Sequence, residues 1–99
     1  MKYLILLVTL ILSESLFALG DVEAGKAKSQ TCIACHGQNG ISPNALWPNL
    51  AGQKNQYIIE QLKAFKEGTR VNPMMSPIAK MLSDQDMENV AAYFSQVKD

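Results

Sequence analysis

The two cysteines and the single histidine of this chain all fall within five consecutive residues, Cys32-Ile33-Ala34-Cys35-His36. Two thiols separated by two residues, with an imidazole directly after the second, form the C-x-x-C-H arrangement that attaches a c-type haem. Each residue type has its part. The thiols add to the two vinyl groups of the porphyrin and become thioethers. The two intervening residues let the backbone set one sulfur at each vinyl. The imidazole then lies beneath the iron and can bind it through Nε2. The motif predicts one covalently attached haem c, with Cys32, Cys35 and His36 as cofactor-binding residues and His36 as an iron ligand.

Rival chemistries of the same residues are less well served. A structural zinc site needs four ligands, usually completed by a second Cys/His pair, and the chain has none. A thioredoxin-like redox pair needs a βαβ setting, and the residues after Cys35 do not alternate like a strand. A Cys32–Cys35 disulfide in an exported protein is the remaining alternative.

A six-coordinate haem needs a second axial ligand. With no other histidine, methionine sulfur is the natural candidate, and thioether ligation raises the reduction potential. Beyond residue 20 the methionines are Met74, Met75, Met81 and Met87. Met87 falls on an apolar helical stripe and reads as core. Met81, just before Ser83, reads as core filler. Met74 and Met75 stand in a stretch bounded by Pro73 and Pro77, where a side chain can be aimed at a metal without obeying a helix direction. The residues alone leave these two open.

Three main helices must position these groups. Residues 21–32 read as a short helix, with Asp21 as N-cap and Glu23 in the first turn. Gly25 interrupts it at a cost in helix stability; close backbone approach of another element would account for it, as would an incidental surface glycine. Residues 37–52 read as a loop rich in Gly, Pro and Asn. A loop of that length in a small domain is uncommon unless it has a task, and wrapping a cofactor is such a task. Asn55–Glu67 is the clearest helix: Ile58, Leu62 and Phe65 recur at helical spacing with Tyr57 beside them, and Gly68 ends it. Ser76-Pro77 suits a short helical turn with Ser as N-cap. Ser83 caps the last helix, with Asp86 completing a capping box. Met87, Val90, Ala91 and Phe94 form that helix's apolar stripe, widened by Tyr93 and Val97. No strand is evident, so the fold class is all-α.

The first residues read as a secretory signal over 1–20. Met1-Lys2 is its positive start, Tyr3–Leu12 its apolar run, and cleavage is expected before Asp21. That run is half of the ~20 residues a membrane helix needs, so a cleaved signal is preferred to an anchor. The domain is then 21–99. A chain that short has a thin core and usually needs a staple, which a haem tied at two points would supply. Formal net charge is zero at pH 7. No basic run suggests nucleic acid, and nothing in the charge balance suggests an anionic membrane surface.

Together these features resemble a class I c-type cytochrome, in its small bacterial single-haem form and in one half of the two-haem periplasmic relatives. The resemblance covers residues 21–99. It is carried by the haem motif, Pro48-Asn49-Leu50-Ala51-Gly52, Tyr57–Arg70, Asn72-Pro73-Met74-Met75 and Leu82–Phe94. It implies a cytochrome c fold, three main helices plus a short helical turn wrapped around one haem. It also implies that Pro48, twelve residues after His36, offers its carbonyl to the histidine Nδ1 proton. The ligand methionine of relatives lies eight residues before the serine that caps the last helix, which gives Met75, with Met74 as fallback. Gly25 would meet Tyr93 where the first and last helices cross. Arg70 resembles a basic residue that neutralises haem propionates, and Trp47 would pack on the haem edge or donate to a propionate.

The function expected is that of a periplasmic electron carrier, not an enzyme, passing one electron between larger redox proteins through His/Met-ligated iron. A monomer is expected. A gas-binding or peroxide-handling haem protein with a labile sixth site is the alternative.

Overall fold

The computed structural model describes residues 20–98. Apart from Gly20, the signal peptide assigned to 1–20 lies outside the described residues. Within them the order is α1 (Val22–Lys28), a 3₁₀ turn (Ser29–Thr31), α2 (Ile33–His36), α3 (Asn55–Glu67), α4 (Met75–Lys80) and α5 (Asp84–Gln96), with no strand.

The first helix is shorter than its sequence pattern suggests. Asp21 caps it as expected, its side chain accepting the N–H groups of Glu23 and Ala24. At the other end the buried Ser29 hydroxyl donates to the Lys26 carbonyl at 2.7 Å. That side-chain bond competes with the helical ladder. The chain tightens into the 3₁₀ turn, and α2 starts again after Cys32.

Helices α1 and α5 cross with their backbones almost touching. A Cβ on Gly25 would press into the Asn89 carbonyl and lie 3.0 Å from the Tyr93 Cβ. The glycine is therefore required by the close approach. The expected partner Tyr93 contributes its Cβ, while the nearest atom is the α5 backbone.

α3 and α5 enclose the core. Ile58, Ile59 and Leu62 meet Leu82, Met87, Val90, Ala91 and Phe94, so both predicted stripes face inward. Burying each large side chain contributes roughly 1.5–3 kcal/mol. Met81 departs from its reading as core filler: it is 69% exposed. It sits at the C-cap of α4, and neighbouring Leu82 takes the buried place instead.

Ser83 and Asp86 form the expected capping box. The Asp86 N–H donates to the Ser83 hydroxyl at 3.0 Å and the Ser83 N–H donates to the Asp86 carboxylate at 2.9 Å. The hydrogen bond from the Ser83 backbone holds the Asp86 carboxyl below its ordinary range, with the Ser83 hydroxyl and the Lys28 ammonium adding to the effect against the burial that opposes it. Ser83→Ala is expected to cost about 1 kcal/mol, lowering the midpoint of thermal unfolding by roughly 4–8 °C in a domain of this size. A depressed carboxyl pKa stabilises the fold above the unfolded value, near ~4, and loses that contribution as pH falls through the folded value. The deficit of an Asp86→Ala variant should accordingly be present at pH 7 and shrink below pH ~4, as read by denaturant unfolding at several pH values.

Candidate haem site

A cavity of about 520 Å³ opens between α3, α4 and the 37–52 loop. Cys32, Cys35 and His36 line it from one side and Met74 and Met75 from the start of α4. Its apolar wall includes Leu50, Ile58, Leu62, Phe65, Ile78 and Val90.

The attachment motif is presented by α2. Cys32 is its N-cap, and the His36 N–H returns to the Cys32 carbonyl at 2.9 Å. One helical turn thus sets the two sulfurs and the imidazole relative to one another. Gly37 follows with φ of 90° and turns the chain away, and a Cβ there would collide with Ile41. Both thiols are free, so the disulfide alternative finds no support here. Burial pushes the Cys32 thiol up, and the neighbouring Cys35 adds to this against the Thr31 hydroxyl, which lowers it. Among the described residues no group of three His, Cys, Asp or Glu side chains could hold a metal ion.

His36 is buried, and its Nδ1 lies 2.8 Å from the Pro48 carbonyl oxygen. A carbonyl only accepts, so Nδ1 carries the proton. This leaves Nε2 unprotonated in the neutral ring, the form that binds a metal. The contact anticipated from the twelve-residue offset is present.

The methionines sit differently from their reading as loop residues. Met75 is the first residue of α4, and Met74 is its N-cap. The helix starts before the expected Ser76-Pro77 because the Asn72 side-chain oxygen accepts both the Met74 and the Met75 N–H at 2.9 Å. Asn72 is held in turn: its own N–H donates to the Ser76 hydroxyl, and the Ser76 N–H donates to its carbonyl. Pro77 then lies in the first turn, where a missing N–H costs nothing. Met75 is partly buried and packs on the core, whereas Met74 is 51% exposed.

Arg70 also lines the cavity. Its guanidinium lies 4.6 Å from the centroid of the Phe65 ring and donates to the Gln61 side chain at 2.6 Å. Trp47 is partly buried at the same wall.

Several lining residues were not singled out by their chemistry. Gln61 falls on the face of α3 shared with Tyr57 and Phe65, four residues from each, so helical spacing places it there. Leu46 has no periodic signal, being in a loop. Asn49 reads as a turn-former of the 37–52 loop and Asn72 only as part of a segment carrying the resemblance, neither with a role of its own, although their side chains organise the segments carrying Pro48 and Met75.

The residues present fit a haem. One cavity offers two free thiols at the attachment spacing, an imidazole with its Nδ1 proton engaged, a thioether and an apolar wall.

Comparison with known proteins agrees. The Cytochrome c family model matches residues 22–98. The chain is 44% identical over 93 residues to cytochrome c4 of Pseudomonas aeruginosa, covering 94% of this chain and 46% of that protein. It is 42% identical to cytochrome c-554(548) of Halomonas halodenitrificans over 79 residues, 77% of this chain and 95% of that one. The crystal structure of reduced recombinant cytochrome c4 from Pseudomonas stutzeri superposes with a TM-score of 0.76 at 43% identity, covering 80% of this chain and 46% of that chain. The chain spans about half the length of the cytochromes c4 it matches.

Proposed function

The chain belongs to the cytochrome c family, whose cofactor is covalently attached haem c, and from that premise we propose that it is a periplasmic single-haem electron carrier. Cys32 and Cys35 hold the haem, His36 and Met75 bind its iron, and Arg70 faces its propionates. The haem, when bound, would hold one electron at a time on its iron, taken from a reduced donor and passed to an oxidised acceptor. The protein's residues do the rest. The Pro48 carbonyl keeps the imidazole oriented and basic. The apolar wall keeps water from the metal and so favours the less charged state. Larger redox proteins are the donor and acceptor.

The observation that carries this reading is the meeting in one cavity of both thiols, the Pro48-anchored imidazole and the Met75 side chain. Among the described residues no carboxylate lines that cavity. No helix among the described residues is long and apolar enough to cross a membrane.

The test is a visible spectrum and redox titration of protein matured in haem-attaching cells. One reversible one-electron wave is expected, from a low-spin haem that survives acid–acetone extraction. A folded, colourless protein would sink the reading.

The rim of the cavity sets how partners would dock. Leu46, 86% exposed, and the half-exposed Tyr57 and Met74 stand there, and among the described residues Arg70 is the one permanently charged residue lining it. Electron-transfer encounters are small and short-lived, and a chain of zero formal charge gives little long-range steering. The rate of electron transfer to a partner should therefore depend weakly on salt. A steep fall between low and physiological ionic strength would instead place the docking surface at a lysine cluster such as Lys26 and Lys28.

A further inference from the structure

The carbonyl that anchors His36 lies in an exposed stretch of loop. Pro48 and Asn49 are both exposed, so burial does not hold them. Proline fixes its own φ, but its carbonyl is aimed by the rotation that follows, which the placement of Asn49 determines. Asn49 is tied across the loop: its side-chain oxygen accepts the Ser42 N–H at 2.7 Å. The Ser42 hydroxyl faces the Asn44 carbonyl at 2.8 Å and the Cys35 carbonyl at 3.3 Å. Cys35 precedes His36. The path from Pro48 through Asn49, Ser42 and Cys35 thus closes on the imidazole whose Nδ1 is 2.8 Å from Pro48.

We propose that Asn49 is a positioning residue: its side-chain oxygen, through Ser42, holds the Pro48 carbonyl on His36 and so sets how strongly that imidazole donates to the haem iron. This rests on His36 being an axial ligand.

The sign of the effect separates positioning from loosening. A well-aimed acceptor draws the Nδ1 proton, makes the imidazole more basic and favours ferric iron. Releasing the carbonyl should therefore raise the reduction potential. A merely loosened loop would admit water, favour the more charged ferric state and lower the potential.

Haem-loaded wild type, Asn49→Ala, Asn49→Asp and Ser42→Ala would be compared. The readouts are potential and, by NMR of the ferrous protein, hydrogen exchange at the residue-42 amide and at His36 Nδ1. For Asn49→Ala the expected result is a three- to tenfold change in the reduction equilibrium constant, about 30–60 mV upward at 59 mV per tenfold. Exchange at both positions should accelerate at least tenfold. Asn49→Asp keeps an acceptor oxygen and should restore both protections, whatever its added charge does to the potential. An unchanged Nδ1 exchange, or a lowered potential, in Asn49→Ala overturns the proposal. Should that variant fail to take haem, Ser42→Ala carries the test. It removes the link to Cys35 and leaves the amide bond to Asn49, so faster Nδ1 exchange with an intact amide is expected, and unchanged Nδ1 exchange overturns it. A haem-loaded wild type with silent variants sinks this inference alone. A wild type that binds no haem sinks the proposed function with it.

Discussion

Met75→Ala is expected to open the iron. Removing the thioether withdraws its preference for ferrous iron, and the potential should fall by on the order of 100 mV or more, within the ~0.8 V over which axial ligands set haem potentials. The thioether–ferric band should disappear, and carbon monoxide should bind the ferrous form. The structural reason to choose Met75 is its partly buried side chain, packed between core and cavity. Met74 reaches the same cavity but is half exposed, so Met74→Ala should leave the spectrum intact and change stability by less than about 1 kcal/mol. The reverse pattern would move the ligand by one residue and leave the carrier function standing. Rapid carbon monoxide binding by the wild type would mean an open sixth position, and gas or peroxide chemistry would replace electron transfer.

Cys32→Ala combined with Cys35→Ala should cost both cofactor and fold. Without thioethers no haem remains bound through acid–acetone extraction. The stability argument follows from volume. A rigid, dry void of the cavity's size, about 520 Å³, would cost on the order of 10 kcal/mol at roughly 24 cal/mol per Å³. That is comparable with the whole ~5–15 kcal/mol stability of a domain. The haem-free chain should therefore loosen, with reduced far-UV helicity and a broadened or absent thermal transition. The single variants should keep one thioether and a weaker fold. A double variant that unfolds as cooperatively as the wild type would show that the helices need no such staple.

Much of this protein was legible because its chemistry is local. The attachment motif is five adjacent residues, and a single turn of helix sets their geometry, so spacing alone announces the cofactor. The stripes of α3 and α5 are likewise set by helical period, and Ile58, Leu62, Phe65, Met87, Val90, Ala91 and Phe94 are all buried. The Ser83 capping box is a four-residue pattern. Pro48, Met75 and Arg70 entered through family resemblance. The structure places each at the cavity, with Pro48 in contact with His36. Tertiary structure decided where local patterns compete or where partners are far apart in sequence. The Ser29 hydroxyl breaks the first helix once Ser29 is buried, and Asn72 starts α4 two residues early by gathering two N–H groups. Met81 and Leu82 both look like core, and only the packing of α4 on α3 assigns one outward and one inward. The Asn49–Ser42 tie spans seven residues of loop, where no periodicity operates. A side chain that closes a loop leaves no repeat to read, because what selects it is the position of its partner in space.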